Sequence, residues 1–166
     1  AWFNRLQIID STTISLFSNL IFKGVGRHPK TGKKKGGIKV HTNIHANEFV
    51  PSDIKFTSAA TNDNFMLKPA NYNDGDIIAM DRAYIDYARF EELTNRGVTY
   101  VTKMKKNLVY DTLSDTMYML PCSLMECRVQ VVEFRKHIKG GENIKHKARI
   151  VTYVDPAKKK AKVISL

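Results

Sequence analysis

Two short apolar runs in this chain each end abruptly in an acid. Leu6-Gln7-Ile8-Ile9 leads into Asp10, and Ile77-Ile78-Ala79-Met80 leads into Asp81. Runs of this length with little polar alternation predict strands buried on both faces. Each Asp then falls at the carboxyl end of its strand, where open α/β sheets place their binding sites. Asp81 is equally suited to cap the helix that follows. Ile14 to Phe22 is mostly apolar and predicts a short helix or a packed turn. Ile38 to Ala46 alternates Ile38, Val40, Thr42 and Ile44 against Lys39, His41, Asn43 and His45. That pattern predicts a strand whose apolar side is buried. His41 and His45 are then about 13 Å apart, too far to share a metal, and are expected to face solvent or phosphate. Phe49 to Phe56 reads as a further strand, paired through a turn at Ala46-Asn47-Glu48. Pro51 implies that it starts irregularly or lies at an edge.

Thr61-Asn62-Asp63-Asn64 offers caps for a helix to about Lys68, stopped before Pro69. A second helix starts at Tyr84 or Asp86. Its inner face carries Tyr87, Phe90 and Leu93, and Gly97 ends it at the C′ position. Val98 to Met104 alternates as a fifth strand. Past Asn107 the strand–helix alternation stops. Met117 to Leu120, Met125 to Phe134, Ala148 to Val154 and Ala161 to Leu166 all read as strands. Turns are expected at Gly140-Gly141-Glu142-Asn143 and Asp155-Pro156-Ala157-Lys158. The fold class is therefore α/β. A mixed five-stranded sheet with helices occupies residues 1–106, and a small antiparallel β region occupies 107–166.

Charge adds a partner to this picture. The chain has 27 Lys and Arg against 16 Asp and Glu, a net charge of +11. Such a balance implies a polyanion, most simply nucleic acid. The stretch from Lys23 to Lys39 holds Arg27, Lys30, Lys33, Lys34, Lys35 and Lys39 with no acid, among repeated Gly and Pro. It is expected to be an irregular loop that follows a phosphate backbone without reading bases. Lys103, Lys105 and Lys106 form a second basic group at the end of the fifth strand. Two cysteines, Cys122 and Cys127, give no disulfide framework and fit a reducing cytoplasm. With His137 and His146 they allow a zinc site on paper, but the spacing is loose, and packed thiols are the expectation. There is no apolar run of membrane-spanning length and no secretory signal.

Two strand-end carboxylates suit a hard divalent cation, Mg²⁺ or Mn²⁺. Together with three motifs they resemble a known family. Ile9-Asp10-Ser11-Thr12, Lys35-Gly36-Gly37-Ile38-Lys39-Val40-His41 and Met80-Asp81-Arg82-Ala83-Tyr84 are similar, in order and spacing, to DDE transposases of the insertion sequence four family. The resemblance covers most of residues 5 to 106. It implies a ribonuclease H-like fold, with Asp10 and Asp81 as catalytic and metal-binding acids. It also implies two ions in the intact enzyme, DNA as partner, and strand cleavage followed by strand transfer. A homodimer is compatible with it, and Ser11 and Thr12 are candidates to brace Asp10.

The family's third acid, in the pattern Y-x2-R-x3-E-x6-K, has no match here. No Glu follows any Arg by four positions. The chain starts without Met and ends in Val163-Ile164-Ser165-Leu166, which reads as a strand cut short. A fragment is expected, inactive alone, with the third acid beyond residue 166. Two alternatives stand beside this reading. One is a ribonuclease H-like nuclease that only hydrolyses, using Glu91 or Glu133. The other is a non-catalytic basic DNA-binding module.

Overall fold

A computed structural model describes residues 2–15, 37–120, 125–137, 141, 143–155 and 160–165. Nine strands form one continuous sheet. They are β1 (Leu6–Ser15), β2 (Gly37–His45), β3 (Val50–Ser58), β4 (Ile77–Met80), β5 (Thr99–Lys103), β6 (Tyr110–Leu120), β7 (Met125–Lys136), β8 (Ile144–Asp155) and β9 (Lys160–Ser165). The spatial order is β3-β2-β1-β4-β5-β9-β8-β7-β6. β1, β4 and β5 are mutually parallel, and β2 runs antiparallel to both β1 and β3. These first five strands are the mixed five-stranded sheet expected of a ribonuclease H-like fold.

The later β region does not stand apart from that sheet. β9 returns beside β5, antiparallel, and β8, β7 and β6 continue outward from it. β6 begins seven residues before the apolar Met117 that marks it in the sequence. Its early residues are polar, and its described side chains are mostly exposed because it is the far edge strand. At the other edge lies β3, where the missing N–H of Pro51 costs nothing.

Among the described residues one α-helix, α1 (Tyr87–Asn95), covers the sheet. The Asp86 carboxylate accepts from the N–H groups of Ala88 and Arg89, satisfying two of the donors a helix start leaves open. The helix ends at Gly97, whose φ of +73° lies in the left-handed region where a Cβ is costly. Phe90 and Leu93 point inward, spaced as read from the sequence. They meet Ile78 and Tyr100 of the sheet in a core that also takes Ile9, Met66, Leu67, Tyr72 and Tyr84. Phe90 stacks on Tyr100 with centroids 4.0 Å apart. The same core runs on into Val132, Phe134, Ala148 and Ile150 of β7 and β8. The β-rich region is thus joined to the first five strands by packing as well as by pairing. No helix of the described residues is long and apolar enough to cross a membrane.

Two expectations are corrected here. The helix expected from Asn62 to Lys68 is a single 3-10 turn, Asp63–Phe65, with Asn62 as its cap. The Arg89 side chain donates to the carbonyl oxygens of Asn64 and Leu67, which a continuing helix would need, and Pro69 starts a separate turn. The side of β2 expected to face solvent or phosphate is also covered at His41. His41 is fully buried against Phe65, with its Nε2 2.8 Å from the Thr57 hydroxyl. It does not face solvent, because the 3-10 turn covers the polar side of the strand. Ile38, Val40 and Ile44 on the other side of β2 are half-buried, and it is on the neighbouring β3 that apolar side chains lie open, with Ile54 48% and Phe56 71% exposed.

Replacing Phe90 with Ala removes the central ring of the core. The expected loss is about 3–5 kcal/mol in urea unfolding. A loss under about 1 kcal/mol would show that α1 does not close this core.

Candidate functional site

Strands β1 and β4 are neighbours and parallel, with Leu6 opposite Ile77 and Ile9 opposite Met80. Ile9–Met80 is the last pair of the ladder, so Asp10 and Asp81 are the next residues on each strand. Adjacent strands are about 4.8 Å apart, which brings the two acids to one point on the carboxyl edge. Side chains alternate along a strand. Ile9 and Met80 are buried, and Asp10 and Asp81 are both exposed. A shift of one residue in either strand would bury an acid and expose an isoleucine or methionine.

Asp81 also caps a short turn, Arg82–Tyr84, by accepting from the Arg82 N–H at 2.7 Å through Oδ1. The cap therefore holds the carboxylate in place and engages one of its two oxygens. Tyr84 lies buried beneath this turn. Its hydroxyl is pushed up to about 12, first by burial and then by the charges of Asp63, Asp10 and Asp81, against the pull of the Ser11 hydroxyl. Both strand-end carboxylates thus act on one phenol.

Ser11 does not brace Asp10. Its hydroxyl donates to Asp63 at 2.6 Å, and Lys39 Nζ reaches the same Asp63 oxygen at 3.1 Å. Thr12 is exposed. Burial pushes the Asp63 carboxyl up, but hydrogen bonds from Ser11 and Lys39 outweigh it and hold the group below the usual carboxylate range. Lys39 is consequently a largely buried ion-pair partner, with 12% side-chain exposure, and not an open phosphate ligand. The sequence offered one signal for this cluster: Asp63 is the acid within the candidate caps Thr61-Asn62-Asp63-Asn64.

Of the other basic positions, Arg27, Lys30, Lys33, Lys34 and Lys35 lie outside the described residues. Lys103, Lys105 and Lys106 are exposed at and just past the end of β5, on the same sheet edge as the acids. Lys105 and Lys106 line a cavity of about 340 Å³ together with Arg82, Asn107 and Leu108. Arg82, which immediately follows Asp81, was not singled out in the sequence.

The histidines and cysteines do other work. His146 is buried, with Nε2 2.6 Å from the Tyr100 hydroxyl and Nδ1 2.7 Å from Glu91. His137 bonds the Asn143 side chain. Cys127 is buried as a free thiol, and Cys122 lies outside the described residues. No group of three His, Cys, Asp or Glu suited to a metal occurs among the described residues. Glu91 is engaged by His146, and Glu133 by Arg135 at 3.2 Å.

Comparison with known proteins gives three results. Residues 1–163 match the family model of the transposase DDE domain. The chain is 24% identical over 125 residues to the transposase for insertion sequence element IS231E of Bacillus thuringiensis subsp. finitimus. That alignment covers 66% of this chain and 23% of the relative, so the chain spans under a quarter of the relative's length. A solved structure of the piggyBac transposase synaptic complex with hairpin DNA aligns with a TM-score of 0.46 and 11% identity. It covers 97% of this chain and 32% of that one.

Asp63→Asn tests the cluster beneath the acid pair. Its folded pKa is depressed, so the stability it contributes is present above its unfolded value of about 3.9 and is lost as pH falls through the folded value. The variant is expected to be less stable than the parent by about 1–3 kcal/mol at pH 7. The gap should close as pH falls below about 4. A gap that stays constant to acid pH would show that the Asp63 charge contributes nothing.

Proposed function

Because the chain belongs to the transposase DDE domain family, we propose that Asp10 and Asp81 are the first two acids of a metal-dependent centre that cuts and joins DNA strands. The observation that carries this reading is the parallel register of β1 and β4, with Ile9 opposite Met80 as the pair before the two acids. The donor set fits the cation class. Both groups are exposed carboxylates, and oxygen ligands suit Mg²⁺ or Mn²⁺. Bound divalent ions supply Lewis-acid stabilisation of charge on phosphodiester oxygens and ease deprotonation of an attacking hydroxyl.

The chain's own residues hold and orient. Asp81 is fixed by its cap to the Arg82 N–H, and Asp10 by its pairing opposite Thr42 in the antiparallel β1–β2 ladder. Arg82, Lys105 and Lys106 concentrate positive charge beside the acids, which attracts and positions DNA phosphates. Lys103 and the basic stretch containing Arg27, Lys30, Lys33, Lys34 and Lys35 extend that attraction without base readout. Residues 1–106 form the catalytic core in this reading, and 107–166 an insertion. Glu91 and Glu133 are held by His146 and Arg135, so the third acid is assigned to a part of the parent protein outside these residues. Water as nucleophile gives cleavage, and a DNA 3′-hydroxyl gives strand transfer.

Two measurements test this. The 166-residue chain, given Mn²⁺ and a pre-cut transposon end, should neither cleave nor join. The parent protein should do both, and lose both in Asp10→Ala and Asp81→Ala. Cleavage by the 166 residues alone, abolished by Asp81→Ala, would favour a simple nuclease instead. For DNA binding, the double variant Lys105→Ala/Lys106→Ala should reduce the slope of log affinity against log salt by about 0.9 for each DNA phosphate that is no longer neutralised. An unchanged slope would remove this edge from the DNA surface.

A further inference from the structure

Strand β3 forms one edge of the sheet, and no other strand of the described residues pairs with its outer side. One face of it is apolar and open, at Ile54 and Phe56. The other face carries Asp53 and Lys55, an ion pair at 2.8 Å that is partly open to solvent. The ladder with β2 settles which backbone groups point outward. The Ala59 N–H donates to the carbonyl oxygen of Gly37 at 3.0 Å. These two residues stand opposite each other, one step beyond the Ile38–Ser58 pair. In an antiparallel ladder, hydrogen-bonded and non-bonded pairs alternate. Thr57, Lys55 and Asp53 therefore bond to β2, while Ser58, Phe56 and Ile54 turn their N–H and C=O groups outward. The register shift between Asn43 and Ile44, opposite Ser52, and Pro51 interrupt the edge before these residues. A row of open backbone groups is a template for another strand.

We propose that β3 pairs with β3 of a second copy of this chain, antiparallel and centred on Ile54. Charge selects this register. Outward-facing residues must meet one another, so the two-fold axis passes through a residue. An axis at Asp53 sets carboxylate against carboxylate, and one at Lys55 sets ammonium against ammonium. An axis at Phe56 leaves both charges opposite the uncharged Thr57 and Ala59. With the axis at Ile54, Asp53 faces Lys55 of the second copy, and Lys55 faces Asp53 of the second copy. These are non-bonded pairs of the new ladder, with Cα atoms about 4.5 Å apart, where side chains come closest. The ion pair within each strand completes a square of alternating charge. Ile54 meets its own counterpart at the axis. Asp10, Thr42 and Ile54 lie in one row across β1, β2 and β3. The pairing thus sets Asp10 of both copies on one side of a continuous sheet, separated by five strand spacings, about 24 Å. It is independent of any metal at those acids.

Sedimentation of the 166-residue chain should show a dimer that grows with concentration into the millimolar range. Asp53→Lys and Lys55→Asp each set like charges opposite one another, and each should weaken the dimer at least about tenfold. An equimolar mixture of the two variants again places carboxylate opposite ammonium at both positions, so it should dimerise as the parent does. The double variant Asp53→Lys/Lys55→Asp keeps every pair with the signs exchanged and should dimerise too. Amide exchange at Ile54 should slow as concentration rises, while that of Lys55, already bonded to β2, should not change. A chain that stays monomeric at millimolar concentration would overturn the proposal. A dimer indifferent to both single variants, or a mixture of them that stays monomeric, would overturn it as well, by placing the contact elsewhere.

Discussion

The parallel pairing of β1 with β4 is the constraint on which the rest depends. It is anchored by the burial of Ile9, Ile78 and Met80 against Phe90 and Leu93. Because side chains alternate with a period of two, burying these residues forces Asp10 and Asp81 to the other face. The site is therefore specified by apolar packing rather than by any attraction between the acids, which repel one another. The short cap from Asp81 to Arg82 and the buried Tyr84 then fix how the chain leaves β4.

A second interaction ties the later strands to this core. The buried His146 of β8 bridges Glu91 of α1 and the hydroxyl of Tyr100 in β5. One imidazole thus ties β8 to two neighbouring elements, α1 and β5, that lie 55 and 46 residues earlier in the chain at the bonded residues. Tyr87 stacks on Phe134 alongside it, with centroids 5.0 Å apart. A buried imidazole with both ring nitrogens bonded avoids the cost of an unsatisfied polar group. This makes the β-rich region a continuation of the same sheet and core rather than an appendage.

Much of this was legible in the sequence because the signals were local. The run Ile77–Met80 ending at Asp81, a helix start at Tyr84 or Asp86, the Phe90 and Leu93 face and Gly97 each follow from neighbours in the chain. Pro51 narrowed its strand to an irregular start or an edge for the same reason, and the edge is what the sheet order shows. What was missed depended on distant partners. His41 and Lys39 looked solvent-facing because their strand alternates, yet a turn twenty residues later brings Asp63 and Phe65 over them. The helix expected after Asn62 failed because Arg89 takes its carbonyls. Neither partner leaves a mark near the residue it changes. The β9–β5 pairing is of the same kind, joining residues about sixty apart.

The central claim is that Asp10 and Asp81 share one cation, and a double-mutant cycle on Mn²⁺ affinity addresses it most directly. Affinity is measured by calorimetry for the parent chain, Asp10→Asn, Asp81→Asn and the double variant. Two ligands of one ion are coupled, so each single variant should lose nearly as much affinity as the double. Losses that add independently, or an affinity that neither substitution changes, would contradict the shared site.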